Sequence, residues 1–569
     1  MHVNRSHKGA CCLFTLATAA VLSMGQSLPP EVVAYADMVL YNGKVITADD
    51  SFTVAEAAAI RDGKFLAVGA KDRILAMAGP KTRRIDLRGR SVVPGFMDTH
   101  LHQAFVGNSA SDLSVKCQAV DSCLQELKEI VQKAKPGQTL PVSATSNKVT
   151  VDELNASLLD TVSPNNPLWV ESQNDQTVVN SLVLKQIPPG TPGILKDKDG
   201  KPTGQLRIGA IGVVVYELEP WPDLEKMAAA QKTELKRYNE QGLTTVMGLA
   251  RGLSITIFRD LMMRNELTAR VRVAHEFLRQ NPTPEPYLKR IGNLTGFGND
   301  MLKIIGTTVQ VVDGSTGTGS GLTSFGKIFQ NPLDPYTPFG QNKWTESGEL
   351  ELSDRRNIIL ANRYGWTITS LHSSGDMSTA TLLDVFEEAN KERPLSGRHF
   401  GIDHNMMIRP EDFKRFKAMD IIPSIYSKAI YGNDSLIKMY GMDRVNSFQP
   451  VRSFIDAGVR PVAEADSGPP DSAPLFNIQR WITRTDEKGR SINAREKASR
   501  QEALYMYTRW AARYSGEENI LGSIEAGKLA DFAILGGDYM TFPETDLDKL
   551  RVVMTVLGGK VVHEVAGAF

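Results

Sequence analysis

Two histidines separated by one residue, His100 and His102, are the side chains of this sequence whose type and spacing most clearly indicate chemistry. They follow an apolar run, residues 92–97, that is typical of a buried strand. Alternate side chains of an extended chain share one face, so both rings can point at the same ion. Neutral imidazole is the commonest metal ligand in proteins and suits zinc. The pattern predicts a metal site, and two ordinary surface histidines are the alternative.

The segments around this pair resemble the signatures of a known family. Residues 93–102 resemble the metal-binding signature of the amidohydrolase superfamily. Residues 371–376 resemble the His-Ala-x-Gly-Asp word of its YtcJ-like branch, often labelled amidohydrolase 3. Further agreement lies towards the chain ends, in residues 38–47, 57–69, 522–535 and 556–562. The resemblance covers nearly the whole chain after about residue 37, and it does not name a substrate.

Short apolar segments alternate with helical patterns, and this alternation predicts an α/β protein with a parallel (β/α)8 TIM barrel. The predicted strands one to eight are residues 92–97, 243–247, 270–274, 302–312, 366–371, 400–403, 421–425 and 461–465. Residues 224–239 and 379–391 have apolar residues at three-to-four spacing, which is typical of the intervening helices. The sites of such barrels lie at the C-terminal ends of the strands.

Candidate ligands stand at these strand ends. His100 and His102 follow strand one, His372 follows strand five, His404 follows strand six and Asp466 follows strand eight. The resemblance implies that His100, His102 and Asp466 bind the first metal. It also implies that His372 and His404 correspond to the ligands from strands five and six. We therefore expect a metal centre at one rim of the barrel, with these five residues as ligands.

The remaining segments are predicted to form other parts of the molecule. Residues 103–205 do not fit the strand count, and we interpret them as an insertion after strand one that covers the barrel mouth. The barrel then occupies residues 91–519. The resemblance implies that the flanks, residues 37–90 and 520–569, pair into a small β-sandwich.

The N-terminus predicts export. Basic residues precede an uncharged apolar stretch, residues 11–25, that is short for a membrane-spanning helix. We expect residues 1–36 to contain a secretory signal peptide cleaved near residue 25 or 36, with an uncleaved membrane anchor as the alternative. The mature protein would be periplasmic or secreted, without stable membrane insertion. Export permits a disulfide between Cys117 and Cys123, and two buried free thiols are an equal alternative.

One divalent ion is expected rather than two, and zinc is favoured. Binuclear relatives place a carboxylated lysine on strand four, where this chain has Thr308 or Val309, and Lys303 lies too early. Without that bridging anion, two dications about 3.5–4 Å apart would be poorly compensated. His404 would then be a fourth-histidine ligand or a proton shuttle.

Two other positions depart from the family pattern. Gln176 stands where an Asp-Gly-His word would place a histidine, and Glu464 begins a Glu-Ala-Asp word where Gly-Ser-Asp is usual. Gln176 is also a weak candidate for substrate binding, together with His275 and Tyr426. A structural role is the alternative for each of these three residues.

These observations predict hydrolysis of an amide-type C–N bond in a small molecule by metal-activated water. Asp466 would accept the water proton and pass it to the leaving amine, and its alternative role is that of metal ligand only. The same chemistry on an ester, lactone or carbamate is a second interpretation. A catalytically weak binding or regulatory protein is a third. A formal net charge of zero gives no electrostatic basis for a nucleic-acid partner, and homo-oligomerisation stays open.

Overall fold

The computed structural model describes most of the chain between Ala34 and Phe569. The described residues are 34–102, 113–144, 153–171, 177–191, 193–206, 210–214, 218, 220, 222–250, 252–276, 284–309, 313, 343–344, 350–351, 355–466 and 473–569. Most of the expected signal peptide and Gln176 therefore lie outside the described residues. Within the described part, no helix is both long and apolar enough to cross a membrane.

Eight parallel strands occur in the order predicted from the sequence, as two four-stranded sheets. The first sheet contains Phe96–Asp98, Leu243–Ala250, Arg270–His275 and Leu302–Thr307, and the second contains His372–Ser373, Gly401–His404, Ile422–Ile425 and Val462–Ala463. A single parallel bridge between Thr307 and Ile368 joins the two sheets at one edge. At the other edge the Thr99 N–H donates to the Ala463 carbonyl at 3.2 Å. Mixed α/β content is confirmed, and hydrogen bonds join the two sheets at both edges.

The predicted strand one is in fact two strands. Ser91–Pro94 pairs antiparallel with Phe532–Leu535 in a flank sheet, whereas Phe96–Asp98 pairs with strand two. Gly95 separates them, and a Cβ on this residue would lie 2.1 Å from Thr244 Oγ1. Only glycine allows the chain to pass so close to strand two as it leaves one sheet for the other. The domain boundary expected at residue 90 therefore lies before Ser91–Pro94, a strand that belongs to the flank sheet.

Strands four and five also differ from the prediction. Strand four is Leu302–Thr307, and residues 310–312 of the predicted segment lie outside the described residues. The segment predicted as strand five, residues 366–371, contributes the bridge at Ile368, and the strand itself is His372–Ser373. Ser370 has a φ of +51°, and this left-handed residue interrupts the extended backbone before the site.

Helices follow most of the parallel strands. Leu224–Glu240 and Asp376–Glu392 match the two helices predicted from apolar spacing. The other helices of this region are Gly252–Met263, Pro284–Ile291, Arg355–Arg363, Phe413–Met419, Asp434–Tyr440, Met442–Val445, Val451–Asp456, Pro474–Thr483, Arg500–Met506 and Arg509–Tyr514. Their apolar faces and the strands share one large buried cluster, which fixes the strand ends that carry the candidate ligands.

The two ends of the chain meet in a pair of sheets. The four-stranded sheet contains Ala36–Tyr41, Ala57–Arg61, Lys64–Gly69 and Ala78–Asp86, and the six-stranded sheet contains Lys44–Ile46, Val54–Ala55, Ser91–Pro94, Phe532–Leu535, Val552–Leu557 and Lys560–Glu564. Side chains from both sheets, including Leu40, Ile60, Phe532 and Val556, form one buried apolar cluster.

Residues between the HxH pair and strand two form a separate six-stranded sheet. Its strands are Ser114–Val115, Leu140–Ala144, Leu168–Glu171, Thr177–Val179, Ile194–Lys196 and Pro202–Leu206, and the accompanying helices are Val120–Lys133, Ala156–Val162 and Ser181–Leu184. Cys117, which follows the first strand, and Cys123, in the first turn of the first helix, are joined by a disulfide in this part. Of the two alternatives left by the sequence, the structure therefore has the disulfide.

A buried ion cluster lies among strand three, strand four and the segment before the C-terminal flank. Arg272 is fully buried and donates to both oxygens of Glu517, at 2.5 and 3.0 Å. Lys303 Nζ lies 2.5 Å from Glu517 Oε1. Burial acts to raise the pKa of Glu517, but the two cations outweigh burial and hold the pKa below its usual value of 4.5. Glu517 thus neutralises two cations at the N-terminal ends of strands.

The Glu517→Gln variant is expected to unfold with a free energy lower by about 3–5 kcal/mol at pH 7, because it leaves buried cations uncompensated. The lowered folded pKa means that this stabilisation is present above about pH 4.5 and is lost as the pH falls through the folded value. Urea unfolding at several pH values measures it. Equal stability of both proteins at pH 7 would contradict the assignment.

Candidate metal centre

Three ligand atoms from the ends of strands one and eight face one another. Asp466 Oδ1 lies 3.0 Å from His102 Nε2 and 3.5 Å from His100 Nε2. These three atoms all lie within 4.8 Å of one another. His100 is buried, whereas about half of the His102 side chain is exposed. One imidazole of the group is therefore shielded from solvent, and the other is accessible to solvent.

A carboxylate below the group orients the first imidazole. Asp403 Oδ2 lies 2.6 Å from His100 Nδ1, and Asp403 Oδ1 accepts a hydrogen bond from the Tyr514 hydroxyl at 2.5 Å. His100 Nε2 is buried and has no hydrogen-bond partner among the described residues. A buried nitrogen costs free energy unless some group satisfies it. A metal ion bound at Nε2 would satisfy this nitrogen. The contact between Nδ1 and Asp403 agrees with that role, because ligand imidazoles commonly donate their other N–H to a carboxylate.

The electrostatics of His100 favour positive charge at this point. Burial disfavours the charged imidazole, but Asp403 outweighs burial and raises the pKa of His100 well above its usual value of 6.5. The Asp466 carboxylate adds to the effect. The negative groups that stabilise a protonated imidazole would equally stabilise a bound cation, which would displace the proton. The donor set of two imidazoles and one carboxylate suits a divalent ion such as zinc.

Two more imidazoles adjoin this group. The His404 ring centroid lies 5.1 Å from that of His100 and 4.2 Å from that of His372. Burial lowers the pKa of both His372 and His404 to about 3. Both rings are therefore neutral near pH 7 and can each offer a nitrogen lone pair. The predicted ligands from four strands thus lie close together, but His372 and His404 are outside the ligand-atom groups identified among the described residues, which include His100, His102 and Asp466.

Asp313 supports the end of strand five. Its carboxylate is fully buried and accepts bonds from the Ser374 N–H at 2.9 Å, the Gly375 N–H at 2.8 Å and the Ser378 hydroxyl at 2.6 Å. These donors lie at the start of the helix Asp376–Glu392, directly after His372 and Ser373. Asp313 therefore fixes the turn that holds His372 in place.

Lys428 occupies the other side of Asp466. Its Nζ lies 2.8 Å from Asp466 Oδ2, while Asp466 Oδ1 faces the imidazoles. Burial acts to raise the pKa of Asp466, but the surrounding imidazoles and Lys428 outweigh burial and hold it well below its usual value of 3.8. Asp466 is therefore ionised near pH 7. Its two oxygens have separate partners, so one oxygen is available to a cation.

The other residues named from the sequence lie in different places. The Tyr426 ring packs edge-on at 5.0 Å from that of His404, so Tyr426 borders the group. His275 ends strand three and is absent from the ligand groups identified in the described part of the chain. Gln176 lies outside the described residues. Lys303 binds Glu517, and Thr308 Oγ1 donates to the Ser370 carbonyl at 2.8 Å, so neither is a bridging ligand.

Sequence reasoning missed four charged residues that hold the candidate ligands: Asp313, Asp403, Lys428 and Glu464. Residues 398–404 resemble a family word, "Arg-x-Arg-Ile-Glu-His", that has an acid directly before the histidine. Asp403 stands at that position, and this signal could have found it. Glu464 was noticed only as a departure from Gly-Ser-Asp, yet it contacts His404 Nδ1 at 2.5 Å. Lys428 had no signal, because its pairing with Asp466 is a contact between two separate loops.

Parallel strands with imidazoles and an aspartate at their C-terminal ends define the fold of a metal-dependent hydrolase. The sequence profile Amidohydro_3, described as an amidohydrolase family, matches residues 83–563. The chain therefore belongs to this amidohydrolase family, which confirms the resemblance drawn from its motifs.

Curated relatives and solved structures agree with this assignment. The chain is 27% identical to protein LONG AFTER FAR-RED 3 of Arabidopsis thaliana over 95% of this chain and 93% of that protein. It is 24% identical to an N-substituted formamide deformylase of Arthrobacter pascens, covering 94% and 99% of the two chains. The putative amidohydrolase YtcJ of Bacillus subtilis is also 24% identical, covering 92% and 99%. An uncharacterised metal-dependent hydrolase of Pyrococcus horikoshii has a similar fold, with a TM-score of 0.65 at 20% identity over 89% and 99% of the chains.

Proposed function

We propose that this protein is an exported metal-dependent amidohydrolase that cleaves an amide-type C–N bond of a small molecule. The observation that carries the proposal is the buried His100 Nε2, which lacks a hydrogen-bond partner among the described residues and faces Asp466 Oδ1 beside His102. His372 and His404 stand next to it as neutral imidazoles. Family membership supports hydrolase chemistry at this point.

The proposed centre holds one zinc ion through His100, His102, His372 and Asp466, with His404 as a further ligand or proton shuttle. The residues of this chain near the position where binuclear relatives place a bridging lysine support a single ion. Thr308 bonds to a main-chain carbonyl, and Lys303 is paired with Glu517 at 2.5 Å. Two adjacent dications would therefore lack a shared anion.

Different side chains have different roles in the proposed hydrolysis. When bound, the ion supplies an activated water and polarises the substrate carbonyl. Asp466 accepts a proton and delivers it to the leaving amine, because its carboxylate is ionised and reaches the imidazole group through Oδ1. Lys428 holds Oδ2 and so keeps the carboxylate in one orientation.

The bond type is proposed from the relatives. The Arthrobacter pascens relative is named for N-substituted formamides, and that name favours an amide-type C–N bond. Esters, lactones and carbamates remain the second proposal, because the same activated water attacks all of them. A catalytically weak binding or regulatory protein is the third. Its support is the absence of a lysine at the bridging position and the presence of Gln176 where the family word has a histidine.

Metal removal tests the function. Treatment with a chelator is expected to abolish hydrolysis, and one equivalent of zinc is expected to restore it. The assay is a panel of N-formyl amines, N-acyl amino acids and aryl amides, with matched esters and lactones as the comparison. Preferential cleavage of the amides supports the first proposal, and preferential cleavage of the esters or lactones supports the second. A folded protein that binds no ion and cleaves nothing in the panel would support the third.

The proposal has two further parts, which are export of the protein and closure of the eight parallel strands into a barrel. The disulfide between Cys117 and Cys123 supports an oxidising compartment such as the periplasm. We infer that the eight parallel strands close into a TIM barrel and that the two flank sheets form a β-sandwich, because the strand order and shared core favour both. A cytosolic protein with an intact N-terminus would contradict export.

A further inference from the structure

We propose that Glu464 is a positioning residue that fixes both the backbone and the ring of His404, so that His404 Nε2 faces the metal centre. Glu464 is fully buried at the end of strand eight. It stands in a Glu-Ala-Asp word where Gly-Ser-Asp is usual, and glycine has no side chain to make this contact. The inference rests on the proposed metal centre and adds a residue to it.

A single carboxylate oxygen holds His404 at two points. Glu464 Oε1 lies 3.0 Å from the His404 main-chain nitrogen and 2.5 Å from His404 Nδ1. His404 has a φ of +74°, which is a costly conformation for a residue other than glycine. The two bonds to one oxygen therefore stabilise a strained backbone and set the direction of the ring together.

The other oxygen of Glu464 is held from the neighbouring strand. Ser424 Oγ lies 2.5 Å from Glu464 Oε2. Thr99 Oγ1 lies 2.6 Å from Ser424 Oγ, which links this network to strand one. Glu464 thus cannot turn away from His404 without breaking contacts on strand seven, and its position is set by three strands.

This arrangement fixes which nitrogen of His404 carries the proton. Glu464 Oε1 accepts the His404 main-chain N–H, so it acts as an acceptor towards Nδ1 as well, and Nε2 then keeps its lone pair.

Glu464 and Asp403 each hold an imidazole of the candidate metal centre in the same way. Asp403 contacts Nδ1 of His100 and Glu464 contacts Nδ1 of His404, so Nε2 of each ring is the nitrogen left to bind an ion. In metalloproteins, removal of such an outer carboxylate lowers metal affinity about 10–100-fold. A site without a bridging carboxylated lysine depends more on each imidazole to hold the ion.

Two substitutions at Glu464 and one control test the inference. Glu464→Met removes both acceptors with little change in length, whereas Glu464→Gln retains Oε1 as an acceptor and gives Ser424 a donor. Glu496→Met is the matched control, because Glu496 is also buried and accepts from the Ser453 hydroxyl at 2.6 Å. Zinc affinity is measured by competition with a chelator. The tautomer of His404 is measured in the metal-free protein by nitrogen-15 NMR, with His404→Gln to assign the signal.

The expected result is that Glu464→Met lowers zinc affinity about 10–100-fold and removes the preference for Nδ1–H at His404. Glu464→Gln should keep that tautomer, and Glu496→Met should keep both properties. The inference is overturned if metal-free wild-type protein carries the His404 proton on Nε2. It is also overturned if Glu464→Met keeps the tautomer and binds zinc within about two-fold of wild type. If wild-type protein binds no zinc but the tautomer follows Glu464, the proposed function fails and the positioning role stands.

Discussion

Replacing Asp466 by asparagine is expected to lower kcat/KM about 10²–10⁴-fold while the protein stays folded, the range typical for loss of a general acid or base. Asparagine has the shape of aspartate and can still accept a bond from Lys428, which lies 2.8 Å from Oδ2. It cannot take up the proton that the carboxylate accepts. The measurement is steady-state hydrolysis of the best amide in the panel, with the zinc content of each sample determined beside it.

The control for this variant is Asp456→Asn, the same substitution on a side chain that is 67% exposed and pairs with Arg452 at 3.6 Å. It should behave as wild type. An Asp466→Asn protein with normal zinc content and full activity would refute Asp466 as the proton carrier. Loss of zinc together with activity would show that Asp466 is a ligand, and activity at saturating zinc would then test the proton transfer.

Replacing His100 by alanine is expected to weaken zinc binding by more than about 100-fold, since loss of an outer carboxylate alone costs about 10–100-fold. His100 lies between two carboxylates, because its Nδ1 contacts Asp403 and its Nε2 faces Asp466. Its removal deletes a ligand and leaves the Asp403 carboxylate buried without that partner. Isothermal titration of the metal-free protein with zinc measures the effect.

The control here is His563→Ala, on the flank strand Lys560–Glu564, which leaves the candidate ligands untouched. Its zinc affinity should equal that of wild type. A His100→Ala protein that is folded by circular dichroism and retains wild-type affinity would show that the ion, if bound, lies elsewhere. Unfolding midpoints of both variants separate a loss of ligand from a loss of fold.

The strand order and the convergence of the candidate ligands could be predicted because both depend on local patterns. An apolar run followed by a histidine or aspartate marks the C-terminal end of a buried strand, and parallel strands bring such ends to one edge. His372, His404 and Asp466 were placed in this way, and the structure brings them to the edge that holds His100. Their roles as ligands stay a prediction.

The missed features depend on contacts between segments distant in sequence. The split of strand one at Gly95 follows from the approach of Thr244, which lies far along the chain. The contact between His404 and Glu464 spans 60 positions, so no short pattern reveals it. Strand five was misplaced because the left-handed Ser370 interrupts a run whose composition is typical of a strand.

Anomalous X-ray scattering at the zinc edge, from crystals grown with one equivalent of zinc, tests the central claim most directly. We expect a single peak bound by His100, His102 and Asp466, with His372 or His404 completing the coordination at about 2.0–2.2 Å. Two adjacent peaks would contradict the single-ion site. A map without a peak at these side chains would contradict the metal centre itself.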